Sequence, residues 1–180
     1  MKAMLDSMTR EPFYTSGHFA EDRVELSIAW TCHKGSFADC LPIWNETRDI
    51  VFFFTGEDFA NAAIITKLRT QGHQFQDGAS YLVHLYEEMG IEFLERLNGW
   101  FSGVLVDLRQ QKVVLFNDRY GLRRIYYHES DSALYFSSEA KALLKVIPET
   151  RRLDPRSLGE LVSCGCVLQN RSNSGKYNVR

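Results

Sequence analysis

"RLNGWFSGVLVDLRQQKVVLFNDRYGLRRIYY", residues 96–127, contains two apolar runs rich in Val, Leu and Phe, separated by a polar stretch. A turn centred on Gly121 then leads into a third run. β-Branched and aromatic residues between polar turns read as antiparallel strands. The pattern continues through "RIYYHE" (124–129) and "ALYFSS" (133–138), and so predicts a β-meander. Nothing inside 96–127 is an obvious catalyst. Any chemistry has to come from residues elsewhere in the chain.

Upstream, "IVFFF" (50–54) is a short continuous apolar run that stops at Thr55-Gly56-Glu57. Such a run predicts a strand covered on both faces. A helix is expected over 59–69, with Phe59, Ala62, Ala63, Ile65 and Leu68 on one side and Gly72 ending it. Leu82, Leu85, Tyr86 and Met89 follow the i, i+3, i+4, i+7 spacing and predict a helix over 82–89, closed by Gly90. "IEFLERL" (91–97) adds a short helical turn before Asn98-Gly99. "VELSIAW" (24–30) reads as a strand and 33–49 as a loop. Residues 1–8 read as a short helix, and the remainder up to Phe19 gives no clear period.

Downstream, "SEAKALLKV" (138–146) returns to helix. Asp154 followed by Pro155 is an N-cap and first-turn pair, opening a helix to about Val162 with Gly165 after it. Residues 169–180 are almost without apolar content and are expected to fray. Strands and helices thus come in blocks rather than in strict βαβ alternation. The fold class this implies is α+β, with helices covering antiparallel sheets. The expected division is a main domain over 1–150 and a C-terminal helix and tail over 151–180.

The chain has 180 residues and a formal net charge of -2. That length suits one core with a short extension. The near-neutral balance offers no basic face for nucleic acid. No apolar run reaches 18 residues, so no membrane span is expected. The first 30 residues lack the apolar segment of a secretory signal. Together with four cysteines read as reduced thiols, this points to the cytoplasm. A zinc site from Cys32, His33, Cys164 and Cys166 would lack the paired C-x-x-C knuckles of structural zinc.

Several residues have local structural readings. Asp118 and Arg119 before Gly121 suggest an ion pair fixing a turn. Asn98-Gly99 suggests a positive φ between helix and strand. Ser137-Ser138-Glu139 suggests a helix cap. His73 has no carboxylate nearby in sequence and reads as a packed or turn histidine. Cys32 and His33 are neighbours on a strand and should point to opposite faces.

The motifs Gly56-Glu57, Gly72-His73-x-Phe75, Leu85-Tyr86-Glu87-Glu88-x-Gly90 and Leu97-Asn98-Gly99-x-Phe101 occur in one order, followed by "NDRYGLRRIYY" and "FSSEAKALL". In this the chain resembles the N-terminal glutaminase domain of asparagine synthetases, the class II glutamine amidotransferases. The likeness runs well from residue 50 to 168 and poorly before that. It implies the fold of the N-terminal-nucleophile (Ntn) hydrolases: a four-layer αββα sandwich, two antiparallel sheets between helical layers. It also implies an N-terminal cysteine nucleophile whose own amine is the base, an oxyanion hole with an asparagine in an Asn-Gly-Glu turn, and an arginine and an aspartate clamping glutamine.

The sequence departs from that pattern at these positions. It reads Met1-Lys2-Ala3 where the family has its cysteine. Thr55 stands at the oxyanion asparagine, with Gly56 and Glu57 kept, both as a turn alone. The clamping arginine falls near Ala29 or Trp30. The clamping aspartate falls near Gly78, with Asp77 adjacent as a displaced remnant. The expected pocket is therefore vestigial: Thr55, Gly56, Glu57, Asp77 and Gly78, with no catalytic residue and no metal.

No ATP-pyrophosphatase stretch of the SGG-x-D-S type occurs, so the chain reads as the front part of a two-domain protein. The resemblance implies a degenerate glutaminase-like domain, unable to hydrolyse glutamine and acting as a scaffold in an amide-forming enzyme. It needs no cofactor itself; ATP and magnesium would belong to the synthetase domain. That domain is the expected partner, and an apolar patch over 153–168 would drive self-association without it. The alternatives are an active amidotransferase supplying ammonia for asparagine synthesis after N-terminal processing, and a stand-alone module binding a small amide.

Overall fold

A computed structural model describes residues 1–9 and 11–168, together with the backbone of residues 178 and 179. The chain forms two compact units: Glu11–Arg123, and the flanking segments on either side of it.

In the central unit, β1 (Tyr14–Glu21) and β2 (Leu26–His33) form an antiparallel hairpin. A four-stranded antiparallel sheet follows in the order β3-β4-β5-β6, made of Ile43–Trp44, Ile50–Asp58, Gly99–Asp107 and Lys112–Asn117. Two helices, α2 (Ala62–Thr70) and α3 (Tyr81–Met89), come between β4 and β5. The residue spacing of β4 decides how they pack. Ile50, Phe52 and Phe54 point to one face and join a core with Leu68 of α2 and Leu82, Leu85 and Tyr86 of α3. Phe53 points the other way, its ring 5.2 Å from Trp30 and 5.4 Å from Phe19 of the hairpin. The strand covered on both faces is therefore present, with helices on one side and an aromatic hairpin on the other.

In the flanking unit, α1 (Lys2–Met8) and α4 (Ala140–Val146) share a small core of Met4, Ala142, Leu143 and Ile147. Strands β7 (Tyr126–Glu129) and β8 (Leu134–Ser137) pair antiparallel. α5 (Pro155–Cys164) is capped as its sequence predicts: Asp154 accepts the Ser157 N–H at 3.1 Å, and Gly165 closes the helix at φ 73°. Of the tail expected to fray, residues 169–177 and 180 lie outside the described residues, while β9 (Asn178–Val179) pairs with β7.

Five readings of the sequence are corrected. The meander is not one sheet, since β5 and β6 belong to one and β7 and β8 to another. β4 does not stop at Thr55 but runs through Asp58, so Thr55-Gly56-Glu57 is strand, not turn. Gly99 has no positive φ; a Cβ there would lie 2.1 Å from the Glu57 carbonyl oxygen, so close strand approach demands the glycine. The Asp118 turn is held by the Tyr120, Leu122 and Arg123 N–H groups, not by Arg119. The helix expected from residue 59 begins at Ala62, where Asn61 accepts the Ala63 N–H, leaving Phe59 exposed against Trp100.

Candidate functional site

The end of β4 carries Thr55, Gly56 and Glu57, paired with Ser102, Phe101 and Trp100 of β5. Gly56 has φ 101°, and a Cβ there would lie 2.1 Å from the Trp100 carbonyl oxygen. No other residue type fits the crossing without moving a strand. Thr55 and Gly56 are half-buried and Glu57 is exposed.

The next residue, Asp58, was not singled out by the sequence, yet it is the anchor of this corner. It is buried, accepts the Asn98 N–H at 2.5 Å and the Tyr81 hydroxyl, and so ties β4 to the start of both β5 and α3. Burial pushes its carboxyl above the usual range, against the lowering effect of those two bonds. Burial likewise raises the Tyr81 phenol, with Asp58 adding to it. A carboxylate beside a buried tyrosine was the signal available, but 23 positions separate the pair.

Asp77 and Gly78 open a single-turn helix, Gly78–Ser80, that packs against β3 and β4. Asp77 is exposed and makes no capping bond. Gly78 sits at φ 77°, and a Cβ there would lie 2.5 Å from the Phe37 carbonyl oxygen, which also accepts the Ala79 N–H at 2.8 Å. The Gly78–Ser80 turn therefore rests on Phe37 and against β3 and β4, the latter being the strand whose end carries Thr55, Gly56 and Glu57. Neither Ala29 nor Trp30 offers a charge there; Trp30 lies over Gly17 and against Phe53.

The half-buried thiols have the wrong surroundings for a nucleophile. Cys32 faces Asp39 at 3.9 Å, and burial, with Asp39 and Cys40 adding to it, raises its thiol above the ordinary value. Burial raises Cys40 as well. A reactive thiol needs the opposite, a nearby cation or helix N-terminus. His33 is exposed, stacked on Phe13 and edge-on to Tyr14.

A second polar cluster lies where α3 meets the turn after β3. His84, 3% exposed, directs Nδ1 to Glu87 at 3.1 Å and to Glu46 at 3.6 Å. His73 directs Nδ1 to the same Glu87 oxygen at 3.9 Å and Nε2 to Glu88 at 2.9 Å. The bond to His73 holds the Glu88 carboxyl below its ordinary range. His73 thus finds its carboxylates not nearby in sequence but on α3, 14 and 15 positions along.

Comparison with known proteins fixes the family. A glutamine amidotransferase domain model matches residues 8–177. The chain belongs to the glutamine amidotransferase domain family. Curated relatives of this amidotransferase domain include the glutamine-hydrolysing asparagine synthetase of Zea mays, 38% identical over 105 residues, covering 57% of the chain and 18% of that protein. Another is asparagine synthetase 2 of Bacillus subtilis, 34% identical over 147 residues, covering 79% of the chain and 19% of that protein. The chain thus spans about a fifth of the length of these relatives. Among solved structures, glutamine phosphoribosylpyrophosphate amidotransferase from B. subtilis, complexed with ADP and GMP, matches with a TM-score of 0.59 at 16% identity. That match covers 80% of the chain and 40% of the solved one. With antiparallel sheets and helical layers in both units, it supports the Ntn-hydrolase fold class. No helix among the described residues is long and apolar enough to cross a membrane.

Proposed function

We propose that this amidotransferase domain does not hydrolyse glutamine, and serves as a scaffold for a synthetase domain of an asparagine synthetase-like, amide-forming enzyme. The observation that carries this reading is Thr55. Its β-branched side chain stands where the family likeness expects an oxyanion asparagine, inside a strand locked by Gly56 against Trp100. A threonine hydroxyl on that fixed backbone is shorter than an asparagine amide and reaches a different point. Losing one oxyanion donor costs roughly 10²–10³ in rate in acyl-transfer enzymes. The raised thiols of Cys32 and Cys40 support the same conclusion, because neither is poised as a thiolate.

The scaffold role draws support from α5. Leu158, Leu161 and Val162 are exposed along it, flanked by exposed Leu153 and Leu168. An apolar strip of this kind marks an interaction surface. It is the face that a synthetase domain would cover, and in its absence it would favour self-association.

Ammonia release from glutamine tests the hydrolytic half of the proposal. The chain and its Thr55→Asn variant should both stay at the level of a heat-denatured control. Turnover by the unmodified chain would overturn the reading of the site.

A further inference from the structure

We infer that Glu46, His73, His84 and Glu87 form a binding site for one divalent cation of the zinc class, an inference independent of the amidotransferase reading. Among the described residues this is the group whose potential ligand atoms converge, all lying within 4.8 Å of one another. Two imidazole nitrogens and two carboxylate oxygens are the donor set that zinc and its first-row neighbours accept.

Three of the separations bracket the spacing expected around an ion. A tetrahedral centre with ligands at about 2.0–2.1 Å separates its ligand atoms by roughly 3.3–3.4 Å. The contacts from His84 Nδ1 to Glu87 and Glu46 are 3.1 and 3.6 Å, and His73 Nδ1 stands 3.9 Å from Glu87. The last is too long for a hydrogen bond. Proton counting points the same way. Nδ1 of His84 faces two carboxylates with at most one proton. If His73 donates its Nε2 proton to Glu88, its Nδ1 turns a lone pair towards another carboxylate. A cation at the centre would take up that lone pair and sit between the carboxylates, as an alternative to a second proton on His73.

The ligands are also held from behind, as metal ligands usually are. Glu88 bonds the outer nitrogen of His73 at 2.9 Å. Asn45, 3% exposed, donates to the other oxygen of Glu87 at 2.8 Å and takes the Ile50 N–H at 3.0 Å, fixing the turn that carries Glu46. His84 and Glu87 are three residues apart on α3, so one helix face presents both. Glu46 has a side chain 57% exposed and leaves a path for entry. The ion would join three segments: the turn after β3, the loop after α2, and α3.

Calorimetric titration of zinc into the chelator-stripped full chain, with a non-thiol reductant present, tests this. One zinc should bind per chain and raise the melting temperature. Glu46→Gln, chosen because an exposed side chain can change without unfolding the protein, should weaken binding at least ~10-fold, as should His73→Gln. Glu88→Gln should weaken it by roughly 10–100-fold through loss of orientation. The double change of Cys164 and Cys166 to serine should leave affinity unchanged. Cobalt loading should give tetrahedral d–d bands without a thiolate charge-transfer band. Absence of saturable binding, unchanged affinity in both Glu46→Gln and His73→Gln, or a thiolate band would each overturn the site. Circular dichroism in chelator separates loss of metal from loss of fold.

Discussion

Helices α3 and α5 are close in length but opposite in situation. Tyr81 to Tyr86 are buried without a break in α3, and hydroxyls at both ends are bonded: Tyr81 to Asp58 of β4, and Tyr86 to Asp107 of β5 at 3.0 Å. In α5 only Ser157 is buried, and the leucines and valine face outward. α5 has the better ends, with an aspartate N-cap, Pro155 in the first turn and a left-handed glycine at the close. α3 has no side-chain cap bond at its N-terminus. Packing holds one helix and capping the other. Short helices are marginal in water without tertiary contacts, so α5 is the element with most to gain from a partner.

Four measurements can break or sharpen this contrast. Leu82→Ala, at a position 0% exposed, should cost about 2–5 kcal/mol in urea unfolding, because deletion leaves a cavity that the sheet and α3 cannot close. A cost near zero would show that α3 is not part of the core.

Asp58→Asn should cost about 1–3 kcal/mol, since the amide keeps one acceptor oxygen where the carboxylate offers separate oxygens to the Asn98 N–H and the Tyr81 hydroxyl. Its pH dependence has a definite sign. The folded-state carboxyl lies above its ordinary value of 3.8, so the native chain holds this proton more tightly than the unfolded chain. The parent therefore loses stability from this group as pH rises from about 4 through the folded-state value. The amide variant has no such slope, and the gap between the two should narrow as pH rises. A gap that widened would contradict the dominance of burial at Asp58.

Asp154→Ala should cost about 1 kcal/mol, and only locally. Amide exchange should accelerate over 155–164 and stay unchanged over 81–89; a uniform change would mean that the two helices unfold together. The smallest effect is expected from Val162→Ser, within about 0.5 kcal/mol in stability because the side chain is 81% exposed. Sedimentation should show less self-association in this variant, and no change would remove the apolar strip of α5 as its cause.

What the sequence discloses follows from how local each cause is. The period of α3, the caps of α5 and the doubly covered run of β4 can be read because each rests on residues a few positions apart. β1 escapes notice because "YTSGHFAE" has only Tyr14 and Phe19 as large apolar residues, and its strand state comes from pairing with β2. Asn98-Gly99 looks like a turn, while the real demand for glycine comes from the Glu57 carbonyl some forty residues away. The expected pocket rests on family likeness. By contrast, Asp58 and His73 show no local pattern because their partners lie on other elements, and only the His84–Glu87 pair, three residues apart on α3, has a spacing that the sequence displays.

The aromatic hairpin has an optical consequence. The three tryptophans occupy distinct settings: Trp30 against Phe53, Trp44 edge-on to Phe19, and Trp100 at the sheet end, 40% exposed. Two of the three fluorophores thus report on the seating of β1–β2 over β4, and the third on the crossing at Gly56. Phe substitution of each tryptophan in turn would divide the emission into a channel for the hairpin and a channel for the candidate pocket. The protein then carries its own reporters for two events that unfolding curves would merge.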